Sequence, residues 1–129
     1  MKTEIRNYGS VLLITIFVIA FISALVMGML QMNTEEIQLV QNQIYAAQAL
    51  ATAEAGLNDA FSKIRTDPNW SDSFTESFEG GSYTVDVNDS TITSTGTSSQ
   101  GFVARVEADV TIGSSSPYVV RIDYLRINE

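Results

Sequence analysis

The chain has no cysteine and no histidine, and only two of its 129 residues are proline. The first two absences exclude disulfide staples, thiol nucleophiles, histidine general bases and the common zinc sites. Cationic residues are also scarce: 7 Lys and Arg stand against 15 Asp and Glu, a formal net charge of −8, and no basic cluster follows the first few residues. A nucleic-acid surface built on phosphate neutralisation is therefore not expected. Proline is confined to positions 68 and 117, so nothing before Pro68 obliges a helix to stop.

What is present is concentrated at the start. From Asn7 to Thr34 the chain runs 28 residues without a charge. Within it, Val11 to Leu30 supplies the ~20 predominantly apolar residues that a helix needs to cross a hydrocarbon core about 30 Å thick. Lys2 and Arg6 precede the run and Glu35 and Glu36 follow it, a distribution that favours a cytoplasmic N-terminus with the bulk of the chain outside. Three readings of the segment compete: a cleaved secretory signal, a permanent anchor, and a leader removed at its cytoplasmic end. A secretory signal has an apolar core of about 7 to 15 residues and a small-x-small cleavage site. This run is longer, and Gln31-Met32-Asn33-Thr34 lacks that site.

Beyond the run the helical pattern continues. Ile37, Val40, Ile44, Ala47, Leu50, Leu57, Phe61 and Ile64 recur mainly at spacings of three and four, which places them along one helix face. The alanines between 46 and 55 are strong helix formers, and Gly56 costs about 1 kcal/mol there unless close packing needs it. Asp67-Pro68-Asn69 ends the helix, because proline disfavours helical geometry in the residue before it. A helix from Ser10 to Arg65 would span roughly 84 Å at 1.5 Å per residue. Its second half, Leu50 to Ile64, is expected to pack on the rest of the chain or on a partner, and its first half on other subunits. Ser23, Ala24 and Gly28 permit close approach of a second membrane helix. Glu54, flanked by alanines, is expected to pair locally, for instance near Arg105 or Arg121.

After a polar loop around Trp70 to Glu79 the period changes to two. Tyr83, Val85 and Val87 alternate with polar residues, as do Phe102, Ala104, Val106, Ala108, Val110 and Ile112. Thr91 to Thr97 reads as a hairpin partner between them, and Tyr118, Val120, Ile122 and Tyr124 form a fourth strand. Short connections favour an antiparallel meander. The fold class is thus α+β, a long N-terminal helix packed on a small four-stranded antiparallel sheet.

Little chemistry is on offer. Asp86, Asn88 and Asp89 gather three oxygen side chains around one turn, but calcium takes six to eight oxygens and no EF-hand loop is present; a hairpin turn explains the same residues. The Ser and Thr clusters at 90–99 and 114–116 have no histidine or nearby lysine to activate them. Gly80, Gly81 and Gly101 lack the spacing of a phosphate loop. No enzyme activity, cofactor or metal is expected.

The order of basic leader, Gly9, apolar helix and continuing soluble helix resembles the class III signal of type IV pilins and type II secretion pseudopilins. The match is closest to PilX-type minor pilins and the minor tip pseudopilin, whose alanine-rich passage around Ala-Glu-Ala is similar to Tyr45 to Leu57 here. It covers roughly residues 6 to 65. The resemblance implies a pilin-like fold and cleavage by prepilin peptidase between Gly9 and Ser10, with possible N-methylation of Ser10. It also implies an assembly helix through Ile14, Ser23, Ala24 and Gly28. Residues 1–9 would then be a cytoplasmic leader, 10–31 the transmembrane half of the helix, 32–66 its extracytoplasmic amphipathic half, and 67–129 a small β domain. Implied partners are other pilin or pseudopilin subunits, the peptidase and an inner-membrane assembly platform. Implied location is the inner membrane, then a periplasmic or cell-surface filament. Most major pilins carry glutamate at the fifth mature position where this chain has Ile14, and a larger apolar residue is commoner where it has Ser10. These departures point to an initiating or tip subunit. The alternative is a permanently anchored single-span envelope protein with a small extracytoplasmic binding domain.

Overall fold

The computed structural model describes Lys2–Asn128, with side chains from Asn7 onward. Met1 and the side chains of Lys2 and Arg6, on which the expected orientation rests, lie outside the described residues. The architecture is α+β: helix α1 (Lys2–Thr66) precedes strands β1 (Phe74–Phe78), β2 (Gly81–Asn88), β3 (Thr91–Thr97), β4 (Val103–Ile112) and β5 (Val120–Asn128). The strands form one antiparallel sheet in the order β1-β2-β3-β4-β5. The chain divides into two compact units, Met1–Val40 and Gln41–Glu129.

The first unit is helix alone. Its large apolar side chains from Val11 to Leu30 are 46% to 73% exposed, and α1 is long and apolar enough to cross a membrane. The hydroxyls of Thr15, Ser23 and Thr34 each donate to the carbonyl four residues back, at 2.8 to 2.9 Å. Those bonds leave the polar side chains satisfied without water, as a hydrocarbon environment requires.

In the second unit the helix covers one face of the sheet. Ala49, Ala53, Leu57, Ala60 and Ile64 are buried against Tyr83, Val85, Ile92, Ala104, Val106, Ala108 and Val110. The covered row recurs at spacings of three and four but is built largely from small residues, so the two backbones come close. A Cβ on Gly96 of β3 would collide with the backbone of Ala49 and Ala53, with Ala53 Cα at 2.9 Å. One on Gly56 would meet the Ser94 hydroxyl and the Tyr83 ring, 2.7 Å from its Cδ2. Gly56 therefore repays its helix cost through close packing. Ile37, Val40 and Ile44 remain exposed, and so does Ala47.

Two expectations about the sheet are corrected. There are five strands, not four, because Phe74 to Phe78 pairs with β2 from Phe74 opposite Val85 to Phe78 opposite Gly81. Thr75, Glu76 and Ser77 give this edge strand little hydrophobic alternation, and four of its five residues are exposed, so its composition is that of a loop. The turn joining it to β2 has positive φ at Glu79 (45°) and Gly80 (83°), the geometry of a two-residue hairpin of the primed type. The second correction concerns β5. Ile122 lies opposite Val110, but Tyr124 lies opposite Asp109, because a bulge intervenes. Val120 and Ile122 are therefore followed on the helix side by Leu125 and Ile127, while Tyr124 turns to the outer face. At the bulge the Asp123 carboxylate accepts hydrogen bonds from Thr111 and Arg121, which hold it below the ordinary carboxylate range.

The close approach predicts a sharp asymmetry between glycines. Gly96→Ala should destabilise the sheet unit by at least about 2 kcal/mol, whereas Gly28→Ala, where a Cβ meets nothing within 4 Å, should leave it unchanged. Urea unfolding followed by the fluorescence of Trp70, the one tryptophan, measures both.

Candidate functional site

The residues singled out in the sequence fall on the uncovered helix of the first unit. Gly9 and Ser10 are both helical and exposed. A Cβ on Gly9 would meet nothing within 4 Å, yet glycine inside a helix costs roughly 1 kcal/mol relative to alanine. No contact within the described chain accounts for that glycine. Ile14 is 57% exposed. Ala24 and Gly28 stand one turn apart on one face, and a Cβ at Gly28 also meets open space; the small-xxx-small spacing lets a second helix backbone approach there. Ser23 lies beside them, its hydroxyl spent on the Ile19 carbonyl.

The second unit contributes two features. One is a groove of about 260 Å³ between the helix and edge strand β5, lined by Leu57, Phe61, Val106, Ile122, Leu125 and Ile127, with Glu54 and Asn58 also at its wall. Ile122, Leu125 and Ile127 are each close to half exposed although they share the helix side of the sheet. Glu54 pairs with neither arginine proposed for it. Strand alternation carries Arg105 and Arg121 to the opposite face, where Arg105 pairs with Glu107 and Arg121 with Asp123, both at 2.7 Å.

The other feature surrounds Lys63 near the end of α1. Its ammonium lies 3.3 Å from the centre of the Phe74 ring and 5.5 Å from that of Trp70. Asp59 and Glu76 stand at 3.7 and 3.9 Å. Tyr83 donates its hydroxyl to Asp59 at 3.0 Å. Burial, the hydrogen bond to Asp59 and the charges of Asp59 and Glu76 together push the Tyr83 phenol from 10.0 up to about 12. Sequence reading missed this cluster, although the i, i+4 spacing of Asp59 and Lys63 marks half of it. The other half depends on β1, whose strand character is not evident in its composition.

At the β2–β3 turn the oxygen side chains singled out in the sequence have local roles. Asp86 accepts a hydrogen bond from Ser73 at 2.6 Å, and Asp89 occupies the turn at φ 53°. Among the described residues no three Asp or Glu side chains come together as metal ligands. Compared with known proteins, the chain matches no family model, no curated protein and no solved structure.

The Tyr83 shift sets a pH dependence. Because the phenol is harder to ionise in the folded state, its contribution to stability is complete below about pH 10 and is lost as pH rises toward 12. Denaturation curves across that interval should fall less steeply for Tyr83→Phe than for the native chain.

Proposed function

We propose that this chain is a pilin-like subunit: inserted with its N-terminus in the cytoplasm, cut after Gly9 by a prepilin peptidase, and assembled through its N-terminal helix into a type IV pilus or a secretion-like pseudopilus. The observation that carries the reading is that α1 plays two parts. Its residues 11–30 form an uncovered apolar run, and its residues 49–64 are the layer on which the sheet folds. A simple anchor needs only a tether, and the folded unit need not share its helix. Gly9 adds support, since a glycine that serves no internal contact suits recognition by another protein. Ser23, Ala24 and Gly28 supply a face for a neighbouring helix.

With no acid at position 14, the chain suits an initiating or tip position better than the body of a fibre. The role is structural, with no catalytic group invoked. Intact mass of the protein from membranes of cells holding a prepilin peptidase should show loss of Met1 to Gly9, with or without one methyl on Ser10. Gly9→Val should retain the full N-terminus. An uncleaved native chain in those cells would instead establish a permanent single-span anchor with an outer binding domain.

A further inference from the structure

The outer face of the sheet, away from the helix, carries a polar depression of about 200 Å³ lined by Thr91, Glu107, Asp109, Tyr124 and Arg126. Its shape follows from strand register. Thr91 lies opposite Asp109, Asp109 opposite Tyr124 and Glu107 opposite Arg126, so two short side chains stand beside three taller ones. The bulge in β5 is what brings Tyr124 to this face. The floor is fixed by contacts of its own. Thr91 donates its hydroxyl to Asp109 Oδ1 at 2.6 Å, and the Val110 N–H donates to the Ser90 carbonyl at 2.8 Å, which pins the β2–β3 turn to β4. The Arg126 guanidinium donates to Glu107 at 3.2 Å and stands 5.5 Å from the centre of the Tyr124 ring.

Three properties of these walls select a ligand. Their formal charges cancel, because Glu107 and Asp109 are matched by Arg126 and by Arg105, which pairs with Glu107 at 2.7 Å; the site as a whole favours neither a cation nor an anion. They also mix acceptors with donors. Asp109 spends one carboxylate oxygen on Thr91 and Arg126 one nitrogen on Glu107, which leaves an acceptor oxygen and further N–H groups for hydroxyls of a ligand. Finally, the Tyr124 ring is 56% exposed and offers a flat apolar surface to C–H groups. A compound that is neutral, rich in hydroxyls along its edge and apolar on its face is a sugar ring. The volume is that of about six or seven waters in the liquid, enough for one ring.

We propose that this depression binds one neutral sugar ring of a glycan, with Tyr124 against its C–H face and Asp109 and Arg126 bonding its hydroxyls. The site is independent of assembly and of cleavage after Gly9. The full chain, in micelles of a detergent without a sugar headgroup, is titrated with the methyl glycosides of glucose, galactose, mannose and N-acetylglucosamine, reading saturation transfer from protein to glycoside protons. Sodium acetate and methylammonium chloride are titrated in the same way. At least one glycoside should bind saturably, in the millimolar range expected of so small a ligand, and added salt should not weaken it. Tyr124→Ala should lower its affinity at least about tenfold, and Asp109→Asn about fivefold. Thr95→Ala, on the same face but outside the depression, should leave it unchanged. No saturable transfer to any of the four glycosides, equal affinity in Tyr124→Ala and the native chain, or saturable acetate or methylammonium binding that Tyr124→Ala removes would overturn the proposal. If Tyr124→Ala loses its folded circular dichroism, Asp109→Asn, which keeps the shape of the side chain, takes its place in that comparison.

Discussion

The short distance between helix and sheet is the constraint on which the rest of the second unit depends. Gly96 brings two backbones together, and Gly56 makes room for the Ser94 hydroxyl and the Tyr83 ring, each where a Cβ would collide, and the alanines at 49, 53 and 60 extend that contact along the helix. A core made from such small side chains has modest apolar area per residue, and the sheet unit is near the lower size limit for a stable domain. Close packing offsets this, since dispersion contacts fall off steeply with any gap. The helix is thereby an integral layer of the fold, and the sheet could not keep its buried face if that helix were removed.

This explains which parts of the fold were legible in the sequence. The helix and strands β2 to β4 have strong periodicities, 3.6 and 2, and their buried faces lie where the alternation places them. The covered face of the helix was harder to place. Counting large apolar residues places Leu57 and Ile64 in the contact, where they are buried, and leaves Ile37, Val40 and Ile44 in the first half outside it, but it passes over Ala49, Ala53, Gly56 and Ala60, at which the sheet comes closest. In a close helix–sheet contact the informative residues are those with little side chain, and a hydrophobicity pattern gives them little weight. β1 was hidden for a different reason: an edge strand of Thr, Glu and Ser is specified by the backbone of its neighbour rather than by its own burial.

The candidate sites divide the same way. The exposed N-terminal helix could be read from composition and charge, because a membrane-length apolar run needs no tertiary information. The Lys63 cluster could not, since Trp70 and Phe74 reach it only after the chain leaves the helix, turns at Asp67 and enters β1. Asp59 and Lys63 are adjacent on the helix surface in any fold. Their aromatic and acidic partners are supplied by topology alone.

The bulge at Asp123 has a consequence for how this protein can change. One extra residue in β5 decides that Leu125 and Ile127, rather than Tyr124 and Arg126, face the helix side. Several different side chains could occupy those positions without disturbing the backbone. Removal of Asp123 would take out the bulge and restore plain alternation, with Leu125 still opposite Ala108 and Ile127 still opposite Val106, whereas removal of Arg126 would send Ile127 to the outer face. The bulge is thus the one place in β5 where the chain can change length and keep its apolar face, and variation among descendants of this sequence should keep the alternation from Leu125 onward even where the bulge is lost.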